Sequence, residues 1–270
     1  MARKKVRARD LKKQRWAAIV AAVLALGMIL GLFGPNVYHA IFGSGTPLPD
    51  QQSEPEPQDY LDYYEAEVAR LESQLDENEE NEAVLLELAE NYRYLIVVQQ
   101  VFFNNEEAIE EYQERLIDIY TSLTDVAPAD MQYRLELAYL LFEGRDDHSQ
   151  MLDEASAISD ILRANPDPLY HLSLIQLFDL AGEDELLMDE AKWLEEYLEE
   201  KIADDTADND DRFYYAVLLG EYLGNVTFAK AILEEVIEEE SEESRLYQNA
   251  LSYLQFFQAE SNEEQGITVD

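Results

Sequence analysis

From Tyr60 onward, apolar residues recur at spacings of three and four, with little β-like alternation. In the stretch 64–75, Tyr64, Val68, Leu71 and Leu75 form one stripe, while Glu65, Glu67, Arg70 and Glu72 cover the other faces. This pattern predicts ten helices, over 59–77, 81–103, 105–124, 128–143, 149–164, 168–181, 184–202, 209–223, 226–239 and 242–260. Punctuation supports the boundaries. Asn165-Pro166-Asp167-Pro168 stops one helix and starts the next, because proline fits a first turn but not a helix interior, and Pro128 is read the same way. Gly144, Gly182 and Gly224 each stand where a helix should close. The last residues, 261–270, have no periodicity and read as a disordered tail.

The starts of alternate helices fall near 81, 128, 168, 209 and 242, intervals of 47, 40, 41 and 33 residues. Helix–turn–helix units at such periods cannot bury their apolar flanks singly and are expected to stack into an α-solenoid. The unit at 213–233 carries an aromatic at Phe213, Gly224 near the turn, and Ala229 five residues later. Ala108 and Tyr112 hold the corresponding places in a second unit. On these residues, 81–260 resembles the tetratricopeptide repeat family, whose hairpins need a small residue where the two helices cross. The resemblance is degenerate: Gly144 to Ala155 and Gly182 to Ala191 are eleven and nine residues apart, not five.

The resemblance implies an all-α, right-handed solenoid of tetratricopeptide-like hairpins over 60–260, with a partner groove lined by the first helix of each hairpin. The family's groove positions fall on Arg93, Tyr94, Arg134, Gln176, Asp179, Tyr214, Glu221 and Tyr222. For Arg93 and Arg134, an ion pair with a nearby Glu is the competing reading. The Lys and Asn clamp of some relatives is absent, since Leu86 and Glu90 stand where it would be.

The N-terminal region follows a different pattern. Residues 1–15 carry eight Lys or Arg against one Asp, and 16–33 hold no charge at all. An 18-residue helix is about 27 Å long, enough to cross a hydrocarbon core of about 30 Å. Basic flanks stay on the cytoplasmic side, so the expectation is a cytoplasmic tail (1–15), a signal-anchor helix (16–33) and an extracytoplasmic repeat domain, in a bacterial cell envelope. Cleavage after Gly45, with Gly43 at −3, is the alternative to an anchor. Gly27 and Gly31 sit at the spacing that lets two membrane helices approach closely. Residues 34–59, rich in Pro, Gly and acidic or amide side chains, read as a flexible linker.

Charge narrows the functions. Beyond residue 33 there are 58 Asp or Glu against 11 Lys or Arg, a balance of −47. Such a surface repels phosphates, which excludes nucleic acid as a partner. The chain has no cysteine, so disulfides and thiolate chemistry are excluded. His39, His148 and His171 lack metal-ligand spacing, and the last two read as surface or capping residues. The acidic run 204–211 lacks the central Gly and closing Glu of a calcium loop. No nucleotide or nucleophile motif is present. The expectation is no catalytic, cofactor or metal site. The chain reads as a membrane-anchored scaffold that docks a protein or peptide partner, in the manner of anchored relatives that aid envelope assembly or export. The alternative is a structural homo-oligomer of the envelope.

Overall fold

The computed structural model describes residues 56–76, 78–144 and 148–264. The tail and membrane helix expected over 1–33, Gly27 and Gly31, and most of the linker lie outside them. Among the described residues no helix is long and apolar enough to cross a membrane. The chain divides into two compact units, residues 1–63 and 64–270.

All regular structure in the described residues is helical: α1 Pro57–Leu75, α2 Glu82–Val98, α3 Glu106–Val126, α4 Met131–Gly144, α5 Ser149–Ala164, α6 Pro168–Ala181, α7 Asp184–Ala203, α8 Asn209–Val217, α9 Val226–Glu239 and α10 Arg245–Glu264. Helices α5, α6 and α9 have the predicted bounds. Helix α1 starts two residues before the predicted 59, because Pro57 fits its first turn and the Glu56 N–H donates to Asp59 Oδ2 at 2.8 Å. Pro128 does not open α4. It lies in the connection, and Asp130 Oδ1 caps the helix by accepting from the N–H groups of Gln132 (2.9 Å) and Tyr133 (3.3 Å). Helix α10 runs on to Glu264, into the stretch read as a disordered tail.

Two predicted α-helices end differently. After α2, residues Gln99–Phe103 form a π turn, closed by the Asn104 N–H on the Gln99 carbonyl at 2.6 Å. After α8, Leu218–Tyr222 do the same, with Leu223 N–H on Leu218 O at 3.1 Å. Asn104 takes the left-handed conformation (φ 50°), as does Gly182 (φ 74°) closing α6.

From α2 onward each helix packs on the next in sequence, and α4 also touches α6, α6 touches α8, and α8 touches α10. Fully buried alanines sit in the helix contacts: Ala138, Ala155, Ala191, Ala216, Ala229 and Ala250 are 0% exposed. Ala155 and Ala191 are buried despite their irregular distance from the preceding glycine. Ala108, expected to match Ala229, is only half-buried. The tightest approach is at Gly220, where a Cβ would collide with the buried ring of Phe257. Larger apolar residues fill the remainder, among them Leu95, Leu123, Met151, Ile158, Leu174 and Leu194. Each contributes roughly 1.5–3 kcal/mol on burial.

One buried polar cluster corrects the surface role read for His171. The His171 ring is 0% exposed, stacks on Trp193 with centroids 4.6 Å apart, and places Nδ1 2.5 Å from Glu190 Oε1. Glu190 Oε2 accepts from Ser159 Oγ (2.8 Å) and from the Arg163 guanidinium (2.9 Å). One carboxylate therefore ties α5, α6 and α7 together. Burial opposes its charge, but the donors of His171, Ser159 and Arg163 outweigh burial and hold its pKa below the usual range. A pKa lowered in the fold adds stability above the ordinary carboxylate range, and that stability is lost as pH falls through it. Glu190→Gln is expected to cost about 3 kcal/mol at neutral pH. In urea titrations, the gap from wild type should narrow at pH 3.

Candidate functional site

Alternation of antiparallel neighbours makes the even-numbered helices run parallel, and their side-chain links show that they lie in register. Near their N-terminal ends, Tyr133 on α4 donates to Glu82 on α2 at 2.7 Å. Tyr214 on α8 lies in the field of Asp210, Asp167 before α6, and Arg245 on α10. Farther along the helices, Arg93 on α2 pairs with Glu136 on α4 at 2.6 Å, and Tyr139 on α4 donates to the Ser173 carbonyl on α6 at 2.9 Å. Tyr222 follows α8 in the field of Glu221, Tyr253 on α10, Asp179 on α6 and Tyr139 on α4. The result is one face drawn from α4, α6, α8 and α10.

That face is aromatic and acidic. Burial raises the Tyr139, Tyr222 and Tyr253 phenols well above the ordinary value, and the neighbouring carboxylates push in the same direction. Burial and the nearby Glu136 likewise raise Glu143, with Arg93 opposing. Asp179 and Glu221 are exposed at its surface, with Tyr222 half-buried between helices. The π turn carries Glu221 and Tyr222, and its additional residue sets the direction in which they leave the backbone.

The eight residues expected to line the groove divide. Asp179, Glu221 and Tyr222 come together on this face, and Tyr214 lies toward its N-terminal end, its phenol pushed up to about 12 by burial and by Asp210. Gln176 is half-buried on α6. Tyr94 turns the other way: it stacks on Tyr64 of α1 at 4.8 Å and donates to Glu90 at 3.0 Å. Arg134 clasps its own hairpin, bonding Glu154 on α5 at 2.6 Å and the Pro128 carbonyl at 2.7 Å. Arg93 bonds both Glu136 and the Tyr120 hydroxyl (3.0 Å), and its guanidinium lies 5.4 Å from the Tyr120 ring centroid. Burial disfavours that charge, but Glu136 and Tyr120 more than compensate. Both arginines thus hold helices to one another. Tyr139, Tyr253 and Glu143 join the face without having been expected there. Their place on even-numbered helices is visible in the sequence, but their meeting depends on how those helices pack side by side.

Among the described residues no group of three or more His, Asp or Glu is placed to hold a metal ion. His148 contacts Phe142, with ring centroids 4.9 Å apart. A structural role for Arg93 gives a distinctive prediction. Arg93→Met should cost about 2 kcal/mol by stranding Glu136, and adding Glu136→Leu should recover most of it in a urea-denaturation cycle.

No protein-family model matches the chain, and no curated protein matches it. Among solved structures, it is similar to a thermophilic TPR protein of Thermus thermophilus, at 17% identity and a TM-score of 0.36, over 74% of this chain and 100% of that one.

Proposed function

We propose that this chain is a membrane-anchored docking scaffold, a right-handed tetratricopeptide-like solenoid that takes a segment of another envelope or exported protein on its even-helix face and catalyses nothing itself. The observation that carries the reading is the face itself: parallel helices in register present Tyr139, Tyr222 and Tyr253 among Glu143, Asp179 and Glu221. Aromatic rings offer large contact area at small entropic cost, and the carboxylates select a partner segment of positive charge. Several of the scarce basic residues, Arg134, Arg163, Lys201 and Arg212, form ion pairs within the repeat region.

Anchoring is supported by the sequence of 1–33: a basic tail, then eighteen residues without charge. Tethering concentrates the face near the membrane, and the intervening residues set its reach.

Each half of the reading has its own test. The cysteine-free chain permits single-site labelling with a membrane-impermeant maleimide. Ser241→Cys should label in intact cells and Ala8→Cys only after permeabilisation; the reverse pattern overturns the topology. For docking, detergent-solubilised full-length protein is purified at low salt as wild type and as Glu221→Lys/Tyr222→Ala. Proteins recovered with wild type should be lost from the variant. An identical set from both would sink the even-face assignment.

A further inference from the structure

A cleft of about 380 Å³ opens between α1 and α3 over α2, and its lining shares no residue with the even face. Its floor is apolar: Leu85 and Leu88 of α2 are 1% and 3% exposed, and Ile119 of α3 is 6% exposed. Leu75 of α1, half-buried, continues this floor toward the mouth. The rim is acidic, with Glu72 on α1, Asp76 just after it, Glu79 further into the connection and Asp118 on α3. Arg115 is the single cation in the lining, against those four carboxylates. Tyr92 closes one side; its hydroxyl donates to Glu72 at 2.9 Å and holds that carboxylate at the rim.

An open cleft with an apolar floor and a rim of carboxylates matches a side chain with an apolar stem and a cationic head. Lysine and arginine have this build: their methylenes lie on apolar surface while the charge stays at a wet, polar rim. An anionic or neutral apolar side chain would leave the rim carboxylates facing either repulsion or desolvation without a partner. The volume is at the small end of ligand sites, suited to one inserted side chain and its flanks rather than to a cofactor.

We propose that this cleft takes one lysine or arginine side chain of a partner protein, its stem against Leu75 and Ile119 and its head among Asp76, Glu79 and Asp118. The site is separate from the even face, so either can fail while the other stands.

The test uses full-length protein in mild detergent at low salt, titrated calorimetrically with the peptide acetyl-Leu-Lys-Leu-Lys-Leu-amide. Acetyl-Leu-Glu-Leu-Glu-Leu-amide is the control. Wild type should bind the lysine peptide and not the glutamate one. Asp76→Asn/Asp118→Asn should weaken binding about tenfold, as expected for the loss of two exposed charge contacts. Leu75→Lys, which adds a second cation beside Arg115 and removes the apolar contact for the stem, should abolish it. Thermal unfolding of each variant confirms that the fold is kept. Failure of wild type to bind, equal binding of the acidic peptide, or cleft variants that bind as wild type would each overturn the proposal. Loss of binding in Glu221→Lys/Tyr222→Ala with the cleft variants unaffected would also overturn it, and would assign the basic peptide to the even face instead.

Discussion

No hairpin in this chain can cover both of its own apolar flanks, and the remaining architecture follows from that. A pair such as α6 and α7 buries Leu174, Leu177, Leu194 and Leu198 only because α5 and α8 close over its two sides. Small residues let the backbones approach near enough for this: Ala191, Ala216 and Ala229 are wholly enclosed, and Gly220 faces the ring of Phe257 with no room for a methyl group. Aromatic rings then occupy the wider gaps, as where Phe213 meets Tyr253 edge-on at 5.6 Å.

Stacking of this kind also decides where charge goes. With so few basic residues, each is worth most where it can satisfy carboxylates from another helix. Arg93 bridges α2 and α4, Arg134 joins α4 to α5, Lys201 meets Asp211 across the α7–α8 connection, and Arg212 reaches Glu239 on α9. Internal pairing therefore engages several of the few positive charges, in a region where acid is in large excess. The even face and the α1–α3 cleft inherit that sign for the same reason. Such a surface attracts cationic segments over a distance of about a Debye length, roughly 8–10 Å at moderate salt.

Much of this was legible in the chain. Period, proline and cap signals placed α5, α6 and α9 at their bounds, because helix ends are set by local chemistry such as Asp167 accepting from the Leu169 and Tyr170 N–H groups. Two kinds of feature were not legible. The π turns at Gln99–Phe103 and Leu218–Tyr222 shift one hydrogen-bond register, which residue preference does not encode. Pairings across long sequence separations were hidden too. Arg93 and Glu136 lie 43 residues apart, and His171 and Glu190 nineteen. A polar residue in a first turn reads as solvated until the neighbouring hairpin is known. The same holds for the face: the resemblance implied groove positions at Asp179, Glu221 and Tyr222, whereas the approach of Tyr139 and Tyr253 to Tyr222 depends on how the helices pack.

Stacked arrays have a mechanical weakness, because each unit leans only on its neighbours and the ends can peel away. The Glu190 carboxylate changes that balance at one place. By accepting from Ser159 and Arg163 on α5 while bonding His171 on α6, it rivets two successive hairpins from inside. Opening either one strands a charge in a dry interior, so the two must open together or not at all. One carboxylate thus couples the opening of two hairpins at the middle of the array, whereas α2 and α10 at the ends have no such link through it.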